Sequence, residues 1–362
     1  MKNEWLSAIC LIDFRIPKCK FLHSQKINTN KMRSTYFAFA FILIIAVSCS
    51  QPVRNYIANN GTVYGTYYNI KYESPDGKDL KDSIDKELER YTMIFSHYEK
   101  NSTISKVNRN EDVVLEPEFI TCFNKAMEVS EITGGAFDIT AGPLINAWGF
   151  GPEDRLKMTQ EKVDSLKAIS GYQKIHLVDG KIIKDNPAMQ LNMSAIAKGY
   201  TCDLIGEFLA NKGCLNYMID IGGEVVAKGK NDKGNTWTIG IRKPNEDPFN
   251  SDLEDVIELP DHAMATSGNY LNFYVEDGKK YAHTIDPATG YPVQHSILSS
   301  TVLANDCMTA DAYATAFMVL GKEAGIEVQK KVPGLEIYFI YADDDGNNQI
   351  YMSEGFKKYL KE

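Results

Sequence analysis

Asp311 and Thr315 stand four residues apart in "MTADAYATAFMVLG", residues 308–321. The run is otherwise small or apolar and reads as a buried helix, and a spacing of four puts both side chains on one face. A carboxylate and a hydroxyl one turn apart suit Mg²⁺, together with backbone carbonyl and phosphate oxygens. A plainer reading has Asp311 facing the helix dipole and Thr315 bonding back to a carbonyl of its own helix.

Four other stretches set isolated polar groups among turn residues and apolar surroundings. In "FSHYEKNSTISKVN" (95–108) Tyr98 precedes a Ser/Asn-rich turn; its ring either stacks on a planar ligand or anchors the loop on the core. In "TGGAFDITAGPL" (133–144) Gly134-Gly135 precede Phe137-Asp138. Those glycines either bring backbone N–H groups close to a ligand or cap a helix. In "LNMSAIAKGYTCDLI" (191–205) Lys198 opens a helix, where a cation opposes the dipole. It faces an anion such as a phosphate, or it is a solvated surface lysine. In "HTIDPATGYP" (283–292) His283 is the side chain suited to proton transfer near neutral pH. Asp286 in the same stretch also fits a turn that bonds its own backbone.

The elements that must hold these groups mix strands and helices without a strict βαβ rhythm. Strands are expected at 62–73, 237–244, 297–304, 335–341 and 349–352, and helices at 78–94, 119–133, 198–212, 308–321 and 322–331. Hairpins are expected at 175–184 and 270–286, with Asp179-Gly180 and Asp277-Gly278 at their turns. Residues 216–229 read as strand, Gly-Gly, strand. The class is α+β, with mixed, largely antiparallel sheets and packed helices in two intimate lobes that form one domain. There is no Walker loop and no GxGxxG, so any nucleotide site is built another way.

The N-terminal region reads as targeting. Residues 32–48 place a basic start before twelve apolar residues, Tyr36 to Val47, too few to span a bilayer as a helix. "AVSC" then resembles a lipoprotein cleavage site, with lipidation at Cys49 and a tether over 49–56. Residues 1–31 fit no targeting pattern and are read as a mis-assigned start ahead of Met32 or a disordered extension; the folded domain is expected over 57–362. Residues 1–48 hold seven Lys/Arg and two Asp/Glu of the chain's 39 and 48, which leaves the remainder near −14. Such an acidic protein is a poor binder of nucleic acid or of anionic lipid by charge. Of the seven cysteines, Cys122, Cys202, Cys214 and Cys307 lie beyond Cys49 with no CxxC or Cys/His cluster, and buried free thiols are expected.

Taken in order, "YGTYYNI", "FSHYEKNSTISKVN", "GGAFDITAGPL", "LNMSAIAKGYTCD", "IDIGGEV", "ATSGNY", "HTIDPATGYP" and "TADAYATA" resemble the FAD:protein FMN transferase (ApbE) family over nearly the whole chain beyond Cys49. The resemblance implies an ApbE-like, T-fold-like architecture. It also implies a Mg²⁺-dependent exported enzyme that splits FAD, attaches FMN to a threonine hydroxyl of a partner protein and releases AMP. Carried over by motif position, Tyr98 lies against the flavin ring, and Ala136, Phe137, Asp138, Lys198 and Thr284 contact the FAD. Asp311, Thr315 and the Ala195 carbonyl hold the metal, and His283 is the general base beside the cofactor. Tyr64 and Asn192 occupy cofactor-contact positions where the family often has Met and usually Asp. The implied acceptor carries a flavinylation-motif threonine on a subunit of a membrane redox complex, and the enzyme is held by its lipid on the periplasmic side. An FAD pyrophosphatase with water as nucleophile, and a non-catalytic flavin-binding lipoprotein, are the alternatives.

Overall fold

Eight strands build one large sheet, and apolar side chains on its two faces pack into separate clusters. The computed structural model describes residues 55–245, 252–270, 273–276 and 279–361. Its main sheet comprises β1 (Tyr56–Val63), β2 (Thr66–Glu73), β3 (Tyr217–Ile221), β4 (Glu224–Lys228), β5 (Ala263–Gly268), β6 (Ile297–Ala304), β7 (Glu336–Ala342) and β8 (Asn348–Met352). The strands follow one another across the sheet in chain order, and every pairing is antiparallel. The class is therefore α+β, as expected from the sequence, and the described residues belong to one compact unit.

Four helices cover one face: α1 (Lys81–Phe95), α2 (Pro117–Ile132), α3 (Ala197–Asn211) and α4 (Cys307–Leu320). Ile70, Ile219, Val302 and Ile337 of the sheet meet Ile84, Phe119, Ile205 and Phe317 of these helices in the main core. The next residues along β6 and β7, Leu303 and Tyr338, point the other way, as the two-residue period of a strand requires. They pack with Trp237 and Ile257 of a hairpin formed by Trp237–Arg242 and Leu253–Leu259, and with Phe356. A smaller cluster of Leu144, Trp148, Val163 and Ile285 lies apart, pinned where the Trp148 indole N–H donates to the Gly290 carbonyl at 2.8 Å.

The pairing of β4 with β5 is short, limited to Val225–Met264 and Val226–Ala263. Pairing stops there, so Glu224 at one strand's start and Thr266–Gly268 at the other's end border a cleft instead of each other. In the first two strands, one expectation is corrected. Residues 62–73, read as one strand, turn back at Tyr64-Gly65, where φ is 52° and 74°. Successive positive φ values mark a type I′ turn, whose usual signature is Asn-Gly or Asp-Gly. Tyrosine hides that signature, and its hydroxyl is fixed at 2.9 Å from Thr201 Oγ1 on α3.

α3 and α4 approach each other at Gly199. A Cβ there would stand 2.2 Å from the Cys307 carbonyl oxygen and 2.7 Å from Asp311 Cβ, and backbone cannot yield as a flexible side chain does. Gly199→Ala is expected to lower Tm by about 5 °C or more, read by thermal denaturation. An unchanged Tm would mean the two helices are not locked at this distance.

Candidate functional site

The cleft bordered by the β4–β5 gap has a volume of about 850 Å³, a size that takes a large cofactor. Tyr64, Tyr98, Ala136, Phe137, Asp138, Asn192, Ala195, Lys198, His283, Thr284, Asp311 and Thr315 all line it. They come from residues up to 251 positions apart, on turns, helix starts and a strand connection, and the fold gathers them.

The charged end is built by α3, α4 and β4. Asp306 caps α4 by accepting from the Thr309 N–H, and Asp203 of α3 accepts from the Cys307 and Met308 N–H groups at 2.8 Å each. The dipole and free donors of α4 are thus satisfied without Asp311. Asp311 instead turns to α3, where its Oδ2 accepts from the Gly199 N–H at 3.0 Å and its Oδ1 lies 3.8 Å from Lys198 Nζ. Thr315 Oγ1 lies 3.1 Å from Ser267 Oγ on β5. Neither residue fills the plainer role that sequence also allowed.

Lys198 is not a solvated lysine. Its ammonium lies 2.7 Å from Glu224 Oε1, and the two carboxylates hold its pKa up against burial. The anions it faces belong to the protein, which a local reading of "AIAKGY" could not supply. Glu224 and Asp311 are 3% and 2% exposed, and burial raises both carboxyls above their ordinary values while Lys198 opposes that rise. Two buried carboxylates against one ammonium leave a negative balance when all are ionised. A cation offsets it.

The donors at this end fit Mg²⁺. Among the described residues no group of three His, Cys, Asp or Glu side chains is placed to hold a metal, so a metal here needs hydroxyl and carbonyl oxygens as well. Asp311 and Thr315 supply two hard oxygens. The Gly199 N–H, which a continuous helix would direct to the Ala195 carbonyl, goes to Asp311 instead. Ala195 lines the same cleft. Asn192 shapes this turn, since its Oδ1 accepts from the Ser194 N–H at 2.9 Å.

The remaining walls are more apolar. Tyr98 is 59% exposed and its ring lies 4.4 Å from that of His97, so it is presented outward and does not anchor the core. Ser102 closes the loop that carries it by donating to the Ser96 carbonyl at 2.7 Å. Gly134 and Gly135, at φ 63° and 87°, cap α2, and their N–H groups donate to the Glu131 and Ser130 carbonyls. They form a helix cap and not a ligand cradle. Asp138 holds the same loop. Its Oδ1 accepts from the Thr140 N–H and hydroxyl, and its Oδ2 accepts from the Tyr172 N–H. Phe137 is buried, and Ala136 with the edge of Asp138 faces the cleft.

His283 sits between the hairpin strand Lys279–Ala282 and the short strand Ile285–Asp286. Its ring lies edge-on to Phe150, 6.3 Å between centroids. Phe150 in turn stacks on Tyr274 and Tyr274 on Tyr281. Thr284 donates to Asn269 Oδ1 at 2.7 Å. Asp286 fills the turn role, accepting from the Ala288 N–H at 2.8 Å. The turn expected at Asp277-Gly278 lies outside the described residues, as do the targeting segment and Cys49. Cys122, Cys202, Cys214 and Cys307 are free and buried.

Sequence reasoning missed Glu224, His97, Tyr67, Phe150, Arg242 and Ser267, all of which line the cleft. One signal was present: an acidic residue directly after Gly222-Gly223 opens the otherwise apolar strand β4. His97 gave none, because a histidine beside a tyrosine is compatible with any loop.

A model of the ApbE family matches residues 64–339. The FAD:protein FMN transferase of Vibrio cholerae serotype O1 is 38% identical over 338 residues, 91% of this chain and 99% of that protein. The FAD:protein FMN transferase of Escherichia coli K12 is 32% identical over 345 residues, 90% of this chain and 97% of that protein. Among solved structures, the flavin transferase ApbE from Vibrio cholerae aligns with a TM-score of 0.77 at 38% identity, covering 85% of this chain and 100% of that one. The apo form of the flavinyl transferase ApbE from Pseudomonas stutzeri aligns with a TM-score of 0.76 at 28% identity, covering 86% and 99%.

Proposed function

This chain belongs to the ApbE family and is a flavin transferase acting on FAD and a protein acceptor; we propose that it works with Mg²⁺, esterifies a threonine hydroxyl with FMN and releases AMP. The observation that supports this reading best is the meeting of Lys198, Asp311 and Thr315 at one end of a cleft large enough for FAD. A pyrophosphate brought into a buried site needs countercharge. Lys198 places an ammonium there, but Glu224 and Asp311 already offset its charge. Mg²⁺, held by Asp311, Thr315 and the Ala195 carbonyl, would supply the countercharge and polarise a phosphoryl oxygen.

In this reading the threonine oxygen attacks the phosphorus on the flavin side of the anhydride. The P–O bond to AMP breaks as the new P–O bond forms, and the hydroxyl proton passes to His283. Tyr98 and the apolar wall formed by Ala136, Phe137 and Phe150 hold the ring system, while Tyr64, Asp138, Asn192 and Thr284 fix the loops around it. Anhydride cleavage supplies the driving force, so no nucleoside triphosphate is needed. The acceptor is a flavinylation-motif threonine on a subunit of a membrane redox complex. The segment over 32–48 exports the protein and Cys49 carries the lipid that keeps it at the periplasmic side of a membrane. No helix among the described residues is long and apolar enough to cross one.

Incubation with FAD, Mg²⁺ and a competent threonine-bearing acceptor is expected to give a covalently fluorescent acceptor band and one AMP per flavin attached. Free FMN and AMP formed at the same rate without acceptor would identify a pyrophosphatase instead. Intact FAD after prolonged incubation would leave only a binding protein.

A further inference from the structure

Glu224 has one oxygen engaged and one without a partner. Its Oε1 lies 2.7 Å from Lys198 Nζ, and its Oε2 is buried with no hydrogen-bond partner. The residue is only 3% exposed, yet it lines the cleft. Its backbone is set by the Gly222-Gly223 turn, at φ 66° and 105°, where the Gly223 N–H donates to Asp220 Oδ1 and the Gly222 N–H to the Tyr67 carbonyl. Its own carbonyl accepts from the Cys202 thiol at 3.2 Å. The side chain is therefore held from both strand and helix, and a buried acceptor left unpaired destabilises the site unless a ligand completes it.

The missing partner is a neutral donor. Lys198 already neutralises Glu224 at 2.7 Å, while it stands 3.8 Å from Asp311. A cation brought to Glu224 would be repelled by that ammonium, whereas Asp311 keeps more of its charge for the metal. We infer that Glu224 is a direct substrate contact, whose Oε2 accepts a hydrogen bond from a hydroxyl of the polyol next to the pyrophosphate while Oε1 steadies Lys198. This role rests on the protein's being a flavin transferase. Two hydroxyl-bearing groups flank the anhydride of FAD: the ribityl chain of its flavin half and the ribose of its adenosine half. Both offer the same O–H chemistry beside a phosphate.

The test compares wild type with Glu224→Met, which keeps the length and removes the acceptor, and with Glu224→Gln, which keeps the shape and removes the charge. Binding of FMN, ADP and inorganic pyrophosphate is measured with Mg²⁺ by calorimetry, with circular dichroism to verify folding. Glu224→Met is expected to weaken one hydroxyl-bearing ligand by about tenfold or more. Loss confined to FMN assigns the ribityl chain, and loss confined to ADP assigns the ribose. An equal loss for inorganic pyrophosphate, which has no hydroxyl on carbon, would overturn the inference, because Glu224 would then act only through Lys198. So would unchanged binding of all three, which would leave Oε2 to a water molecule. If Glu224→Met does not fold, Glu224→Leu, which also lacks an acceptor, carries the same comparison. Failure of wild type to bind any of the three ligands would count against the transferase reading itself, not against the role of Glu224 alone.

Discussion

Asp311→Ala is expected to lower flavin transfer by about a thousandfold or more while the protein stays folded. The carboxylate sits at 2% exposure on α4, opposite Lys198, and it is the one anionic donor of the proposed metal set. Its removal takes the metal's charged ligand away and leaves Lys198 paired to Glu224 alone. The cost to the fold is smaller. The Gly199 N–H loses its acceptor, about 1–3 kcal/mol, against a typical total of roughly 5–15 kcal/mol. The apolar face of α4, with Phe317 and Met318 fully buried, is untouched. Asp311→Asn separates the two effects, because it keeps an acceptor for Gly199 and still lacks the charge. In-gel flavin fluorescence reads transfer and circular dichroism reads the fold. Full Mg²⁺-dependent activity in Asp311→Ala would remove Asp311 from the proposed metal set.

His283→Ala is expected to cost about 10²- to 10⁴-fold in kcat, the usual range for a positioned general base. The effect should fall on kcat more than on KM for FAD, because the proton moves only as the threonine oxygen attacks. The sign of the pH dependence comes from the same role. A base must be unprotonated to act, so the wild-type rate should fall as the pH is lowered, and the variant should lack that limb. Measured pH–rate profiles of both proteins decide this. An acid limb that persists unchanged in His283→Ala would assign the base to another group. Phe150, edge-on to the imidazole, leaves the proton inventory alone, so Phe150→Leu should lower the rate without removing the limb.

Much of the framework was legible in sequence because it rests on local rules. The strand over 297–304 matches β6, and the helix from 198 to 212 matches α3 within a residue at each end. The Asp179-Gly180 turn was readable because two positive φ values favour those residue types. Tyr64-Gly65 was not, since a tyrosine adopts that geometry only with the support of Thr201, 137 positions away. The strand Ala263–Gly268 gave no periodic signal, because small residues suit several conformations and only its place between β4 and β6 makes it a strand.

For the site, residue types and motif order alone singled out the candidates for chemistry. That order tied Tyr98, Lys198, His283, Asp311 and Thr315 to one family, and the structure brings them to one cleft. What Lys198 faces is a property of the folded chain, since Glu224 comes from a strand 26 positions later and Asp311 from a helix 113 positions later. Whether Gly134-Gly135 serve a ligand or a helix end was resolved in the same way, by hydrogen bonds to α2. The physical reason is common to both. Residue type and spacing fix what a group is able to donate, accept or ionise, but its partners and its dielectric surroundings come from segments that only folding brings together.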